Sequence, residues 1–148
     1  MTRMLPRGVL LLAFFVCLAA LVACSNTGGA YGTVKVALDD QSIKPDRASI
    51  SPGNVTFEVS NRGKVGHELV VVQTDLTADK LPLLTADTEK HKKGDVDLTK
   101  VTSVGDVTDV AAGSSLTKIF ALSKGKYVLI CNIPAHYSSG MYTAFTVQ

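Results

Sequence analysis

Alternation of apolar side chains confines most of this chain to β-strands with one buried face. Val34, Val36 and Leu38 alternate with Lys35 and Ala37, and Val55, Phe57 and Val59 repeat the pattern within Val55–Ser60. A short segment, Arg47–Ile50, precedes the second of these strands and is separated from it by the turn Ser51-Pro52-Gly53-Asn54. The Gly-rich loop Asn61–Gly66 leads into a strand at His67–Gln73. Leu116–Leu122 and Lys126–Cys131 flank Ser123-Lys124-Gly125 and read as a hairpin, and Met141–Val147 reads as the closing strand. Several short strands with regular turn signals specify an all-β fold, an antiparallel sandwich or barrel.

Residues 75–106 interrupt the pattern. They are polar and charged, with no alternation, and a connection this long is uncommon unless it carries structure of its own. Thr77–Lys90 accommodates a short helix with Pro82 in its first turn. The segment therefore reads as an irregular or partly helical insertion lying over the side of the sandwich.

The N-terminus has the layout of an export signal: Arg3 and Arg7, then an unbroken apolar run from Gly8 to Cys24. The run is short for a membrane span, which needs about 20 apolar residues. It ends Leu21-Val22-Ala23-Cys24 before the polar stretch SNTGGAYG. That ending resembles a bacterial lipobox, which implies a signal at residues 1–23 and lipid on the thiol of Cys24. An uncleaved anchor helix is the alternative. Either way the domain is exported and tethered, on the outer face of the cell membrane or in the periplasm. Residues 24–32 read as a flexible tether and 33–148 as one domain of ordinary size. Arg3 and Arg7 account for the whole formal charge of +2, so the mature chain is neutral and offers no basic surface for nucleic acid.

Cysteine use then narrows. Cys17 lies in the signal and Cys24 is the expected lipid site, which leaves Cys131 as the free thiol of an exported domain. Such a cysteine is a small core hydrophobe, a partner for a thiol outside the chain, or a dedicated ligand. The stretch around it decides between them. In YVLICNIPAHYSSGMYTAFTV, Cys131, His136 and Met141 follow one another with four residues in each gap. A thiolate, an imidazole and a thioether on one loop can converge on a soft metal ion. His67, at the start of a strand, is the obvious second imidazole, whereas His91 sits in the charged stretch TEKHKKGD and reads as a solvated surface residue. Two His, one Cys and a weak Met form the ligand combination of a blue-copper electron-transfer centre. Soft sulfur favours Cu(I) and imidazole suits Cu(II), so the mixed set accommodates both states with little rearrangement. Pro134 stiffens the loop, and Gly140 can take a positive φ beside the metal.

Over roughly residues 33–148 the chain resembles the cupredoxins, the small blue-copper proteins. The resemblance rests on Val55–Ser60 with Asn61-Arg62-Gly63, on His67, and on Cys131-Asn132-Ile133-Pro134-Ala135-His136 with Met141. The gaps of four are most similar to those of rusticyanin, sulfocyanin and auracyanin. The resemblance implies a Greek-key β-sandwich holding one type 1 copper. His67 and His136 would bind through ring nitrogens, Cys131 through its thiolate and Met141 as the weak axial ligand. It implies outer-sphere transfer of single electrons through His136 to protein partners, across an apolar rim of Ile133, Pro134, Ala135 and Tyr137. The residue after the first ligand histidine is often Asn or Ser in relatives, tying the two ligand loops together; here it is Glu68, pointing either toward the metal or outward. The Gly66 carbonyl is a further group that could approach the copper.

Other functions fit less well. A copper carrier or storage protein exposes ligands on flexible or Met-rich segments, and two of the three Met fall in the signal. A copper oxidase or nitrite reductase needs further metal centres, for which His91 alone is insufficient, so an enzyme is not expected. A metal-free binding module would keep the sandwich and lose the colour of thiolate-bound copper. The expected protein is a monomeric, membrane-tethered carrier with a separate electron donor and acceptor.

Overall fold

The structure, a computed structural model, describes residues 32–148. The expected signal, Cys17, the lipid site Cys24 and the tether before Gly32 lie outside the described residues. The strands are β1 (Gly32–Asp39), β2 (Ser42–Pro45), β3 (Ser49–Ile50), β4 (Gly53–Asn61), β5 (His67–Gln73), β6 (Thr102–Val110), β7 (Ser115–Leu122), β8 (Gly125–Ile130) and β9 (Tyr142–Val147). They form a four-stranded sheet, β2-β1-β4-β7, and a five-stranded sheet, β3-β9-β8-β5-β6. The β-sandwich expected from the alternation is therefore present.

The inward residues are those the alternation selects. Val34, Val36 and Leu38 of β1 and Val55, Phe57 and Val59 of β4 are buried, facing Leu69, Val71, Leu129 and Phe145 of the other sheet. Phe57 meets Phe120 and Phe145 edge-on, with ring centroids 5.6 and 5.9 Å apart.

Strand direction departs from expectation. β1 runs parallel to β4 and β3 parallel to β9, so both sheets are mixed. Alternation reveals which face is buried and carries no information on direction.

The expected hairpin is also replaced. β7 pairs with β4, whereas β8 pairs with β5 and β9, so Ser123–Gly125 carries the chain from one sheet to the other. The Tyr127 hydroxyl donates to the Ser123 carbonyl at 2.7 Å and closes this corner. Phe120 and Leu122 then face Tyr127 and Leu129 across a shared core instead of lying beside them.

β5 is buried on both faces, which explains its continuous apolar run. Leu69 and Val71 enter the central core, while Val70 and Val72 point outward into a second cluster with Val128, Ile130 and Tyr137. Leu81 and Val96 of the long excursion cover that cluster. The excursion thus closes the outer face of the five-stranded sheet as a strap. No helix forms over 77–90; the strap is a loose hairpin with an isolated bridge between Leu83 and Val96, followed by a 3₁₀ turn at Leu98–Lys100. The expected excursion, 75–106, also ends too late, because β6 starts at Thr102. Only Val107 and Val110 of β6 are fully buried, too few for a recognisable alternation.

Candidate metal centre

His67 is the first residue of β5, and Cys131 follows the last residue of β8. These strands are neighbours, with Val70 opposite Ile130, so the ladder delivers the imidazole and the thiol to the same end of the sheet. The loop from Cys131 to Met141 then folds back on itself. The Cys131 amide donates to the Met141 carbonyl at 3.0 Å, and the Met141 amide to the His136 carbonyl at 3.1 Å. Gly140, with φ of 100°, makes the return possible, as expected. A second left-handed residue was not foreseen: Ala135 has φ of 68°, immediately before His136.

The structure brings three of the four selected side chains, His67, Cys131 and His136, together. His67 Nδ1 lies 3.2 Å from His136 Nδ1, and Cys131 Sγ lies 3.3 Å from His136 Nδ1 and 3.9 Å from His67 Nδ1. The three donor atoms fall within 4.8 Å of one another. Donors sharing one first-row metal ion, with bonds of about 2.0–2.3 Å, must show separations of this size. His67, Cys131 and Met141 are fully buried, and His136 alone is partly exposed. Burial pushes the Cys131 thiol up, opposed by the amides of Glu68 and Ile133 that point at the sulfur. Burial, reinforced by the neighbouring His67, holds His136 below the ordinary imidazole range. Both effects favour the neutral forms, thiol at Cys131 and imidazole at His136.

The supporting residues were only partly legible. Glu68 is neither turned to the metal nor free: its carboxylate accepts the Asn132 amide at 3.0 Å, and its own amide points at Cys131 Sγ at 3.5 Å. Burial pushes its carboxyl up, against the effect of the Asn132 hydrogen bond. Asp40 was missed altogether. Its carboxylate lies 3.5 Å from His67 Nε2, too poorly placed for a hydrogen bond, and that nitrogen is buried without another partner. Gly63 leaves the space between them, since a Cβ there would collide with Asp40 and stand 2.8 Å from His67 Nε2.

Two surface assignments change. His91 is not simply solvated; its Nδ1 lies 3.1 Å from the Asn132 carbonyl, so this nitrogen carries the proton. Tyr137 does not belong to an exposed rim. It is buried, donates to the Ala78 carbonyl at 2.7 Å and accepts from the Leu81 amide at 3.2 Å. A hydrophobic residue next to a ligand reads equally well as rim or core until its hydrogen-bond partners are known.

The sulfocyanin (SoxE) domain family matches residues 14–148. The chain belongs to the sulfocyanin family. No curated sequence is significantly similar to it. Among solved structures, reduced auracyanin from Roseiflexus castenholzii is 24% identical with a TM-score of 0.56, covering 81% of this chain and 99% of that one. Auracyanin B is 21% identical with a TM-score of 0.57, covering 81% and 91%. Reduced rusticyanin is 15% identical with a TM-score of 0.57, covering 81% of each. Identities this low speak for the shared cupredoxin fold, and the family match supplies the rest. This sulfocyanin-family chain is a cupredoxin-type blue-copper protein, of a class whose members are typically electron carriers. A single type 1 copper ion is the cofactor that both the family and the donor set fit.

Proposed function

We propose that the protein carries single electrons between redox proteins, with His67 and His136 binding copper through Nδ1, Cys131 through its thiolate and Met141 as the weak axial ligand. The observation that supports this most directly is the convergence of Nδ1, Nδ1 and Sγ from β5 and from the loop after β8. Bound copper supplies a one-electron couple between its +1 and +2 states. The chain supplies a largely buried cage in which the two imidazoles and the thiol face one another. His136 is the donor nearest solvent, and Ile133, Pro134 and Ala135 beside it offer the contact surface for a transient partner. The reading includes neither a reaction on a small-molecule substrate nor delivery of copper to another protein. A carrier that hands its ion onward needs accessible ligands, and burial of His67, Cys131 and Met141 argues against that.

Adding Cu(II) to the purified copper-free protein tests the proposal. An intense visible absorption should appear, bleach on reduction, return on oxidation and be absent in Cys131→Ser. A colourless product, or colour that survives the loss of this sulfur, overturns it.

We further propose that lipid on Cys24 holds the carrier at the outer face of a membrane, on the strength of the Leu21–Cys24 motif. Metabolic labelling with a radioactive fatty acid should mark the protein and fail to mark Cys24→Ser.

A further inference from the structure

The strap does more than cover apolar surface, because its polar contacts fall on the neighbours of the candidate ligands. Next to Cys131, the Asn132 side chain accepts the Val96 amide at 2.7 Å and donates to the Val96 carbonyl at 3.1 Å. Next to His136 on one side, the Ala135 amide donates to Asp95 Oδ1 at 3.1 Å. On the other side, the Tyr137 hydroxyl is held by Ala78 and Leu81.

Asp95 is the unusual member of this set. It is 2% exposed, a carboxylate taken out of water on an irregular segment. Both its oxygens are occupied: Oδ2 accepts the Lys92 amide at 2.7 Å, and Oδ1 reaches out to Ala135. The Lys92 contact closes a tight turn, with the Asp95 amide donating back to the Lys92 carbonyl at 3.0 Å, so the carboxylate is itself immobilised. Its target is the one non-glycine residue of the 131–141 loop in the left-handed region. An alanine is strained there and stays only when its surroundings over-determine it.

We infer that Asp95 is a positioning residue: it holds Ala135 in the left-handed conformation and thereby aims the His136 ring at Cys131 and His67. The strap that carries it pre-organises the ligand loop, a task separate from filling the second core. The effect on the loop stands independently of copper, whereas the effect on the metal signature rests on the ligand assignment proposed above.

The test compares the full-length protein with Asp95→Ala and with Asp95→Ala/Ala135→Gly. Amide hydrogen exchange is followed in the copper-free proteins, and absorption and electron paramagnetic resonance after loading with Cu(II). Asp95→Ala should speed exchange at Ala135 by roughly tenfold or more and change the resonance splitting of the copper. The second substitution should restore the splitting, because glycine adopts the left-handed conformation without the carboxylate. Unchanged exchange and splitting in Asp95→Ala, or a double variant no closer to the unaltered protein, overturns the inference. Should Asp95→Ala fail to fold, the unaltered protein decides: an Ala135 amide exchanging as fast as a free surface amide overturns the inference, and a protected one supports it. An unaltered protein that stays colourless with copper sinks the ligand assignment instead, and the exchange comparison still judges Asp95.

Discussion

The Glu68 amide points at the Cys131 sulfur across 3.5 Å, while the Glu68 carboxylate accepts the amide of Asn132 at 3.0 Å. One residue therefore ties the start of β5 to the loop after β8 twice, at the thiol and at the next residue's amide. The contact fixes the separation of His67 and Cys131, which no local feature of either segment controls.

Removing the Glu68 carboxylate leaves the Asn132 amide unpaired at a residue with no exposure. Glu68→Ala should destabilise the copper-free protein by about 1–3 kcal/mol. Glu68→Gln keeps a carbonyl acceptor and should lie closer to the unaltered protein. Urea unfolding of the three proteins measures the difference.

Met141 is buried against the central core, so its sulfur and its volume can be separated. Met141→Leu preserves volume and should cost less than about 1.5 kcal/mol of stability. Loss of a donor disfavours the more highly charged Cu(II), and the reduction potential should rise. A potentiometric titration that gives the unaltered potential would exclude Met141 as an axial ligand.

Copper loading should release protons. Burial keeps the Cys131 thiol protonated at neutral pH, and binding requires the thiolate. His136 is held below the ordinary imidazole range and is already neutral there, so it adds no proton. The Cys131 proton should therefore appear in solution on loading at pH 7. Because the metal competes with that proton, affinity rises with pH up to the raised value of the thiol. Calorimetry in buffers of different ionisation enthalpy reads both quantities.

Gly63 leaves room for the Asp40 carboxylate beside His67. Gly63→Ala should crowd the His67 ring from behind and lower copper affinity by about 10–100-fold, the range for a disturbed setting behind a ligand histidine. Competition with a coloured chelator measures it; unchanged affinity would mean that the space at Gly63 does not set the position of His67.

Leu81 seals the second core from the strap and is 4% exposed. Leu81→Ala should cost about 2–5 kcal/mol in thermal or urea unfolding. A cost near zero would show that the strap is not packed as described.

Legibility followed the range of the forces involved. Inward residues of β1 and β4 could be read because alternation is local. The pairing partners of β7 and β8 could not, since Ser123–Gly125 suits a hairpin and a crossover equally. Asp95 and His91 lay hidden in a charged run whose composition suggested only solvent. Asp95 is buried, and His91 is anchored on Asn132, once the strap is laid on β5.

The order of residues by itself determined the donor types, the four-residue gaps that return Met141 to Cys131, and the strands that present them, because each depends on chemistry within a few residues. Tertiary structure alone decided that His67 meets Cys131, that β1 and β4 run in the same direction, and that the strap grips the ligand loop. Those outcomes arise from packing between segments far apart in the chain, where many pairings satisfy the local pattern and only the assembled core selects one.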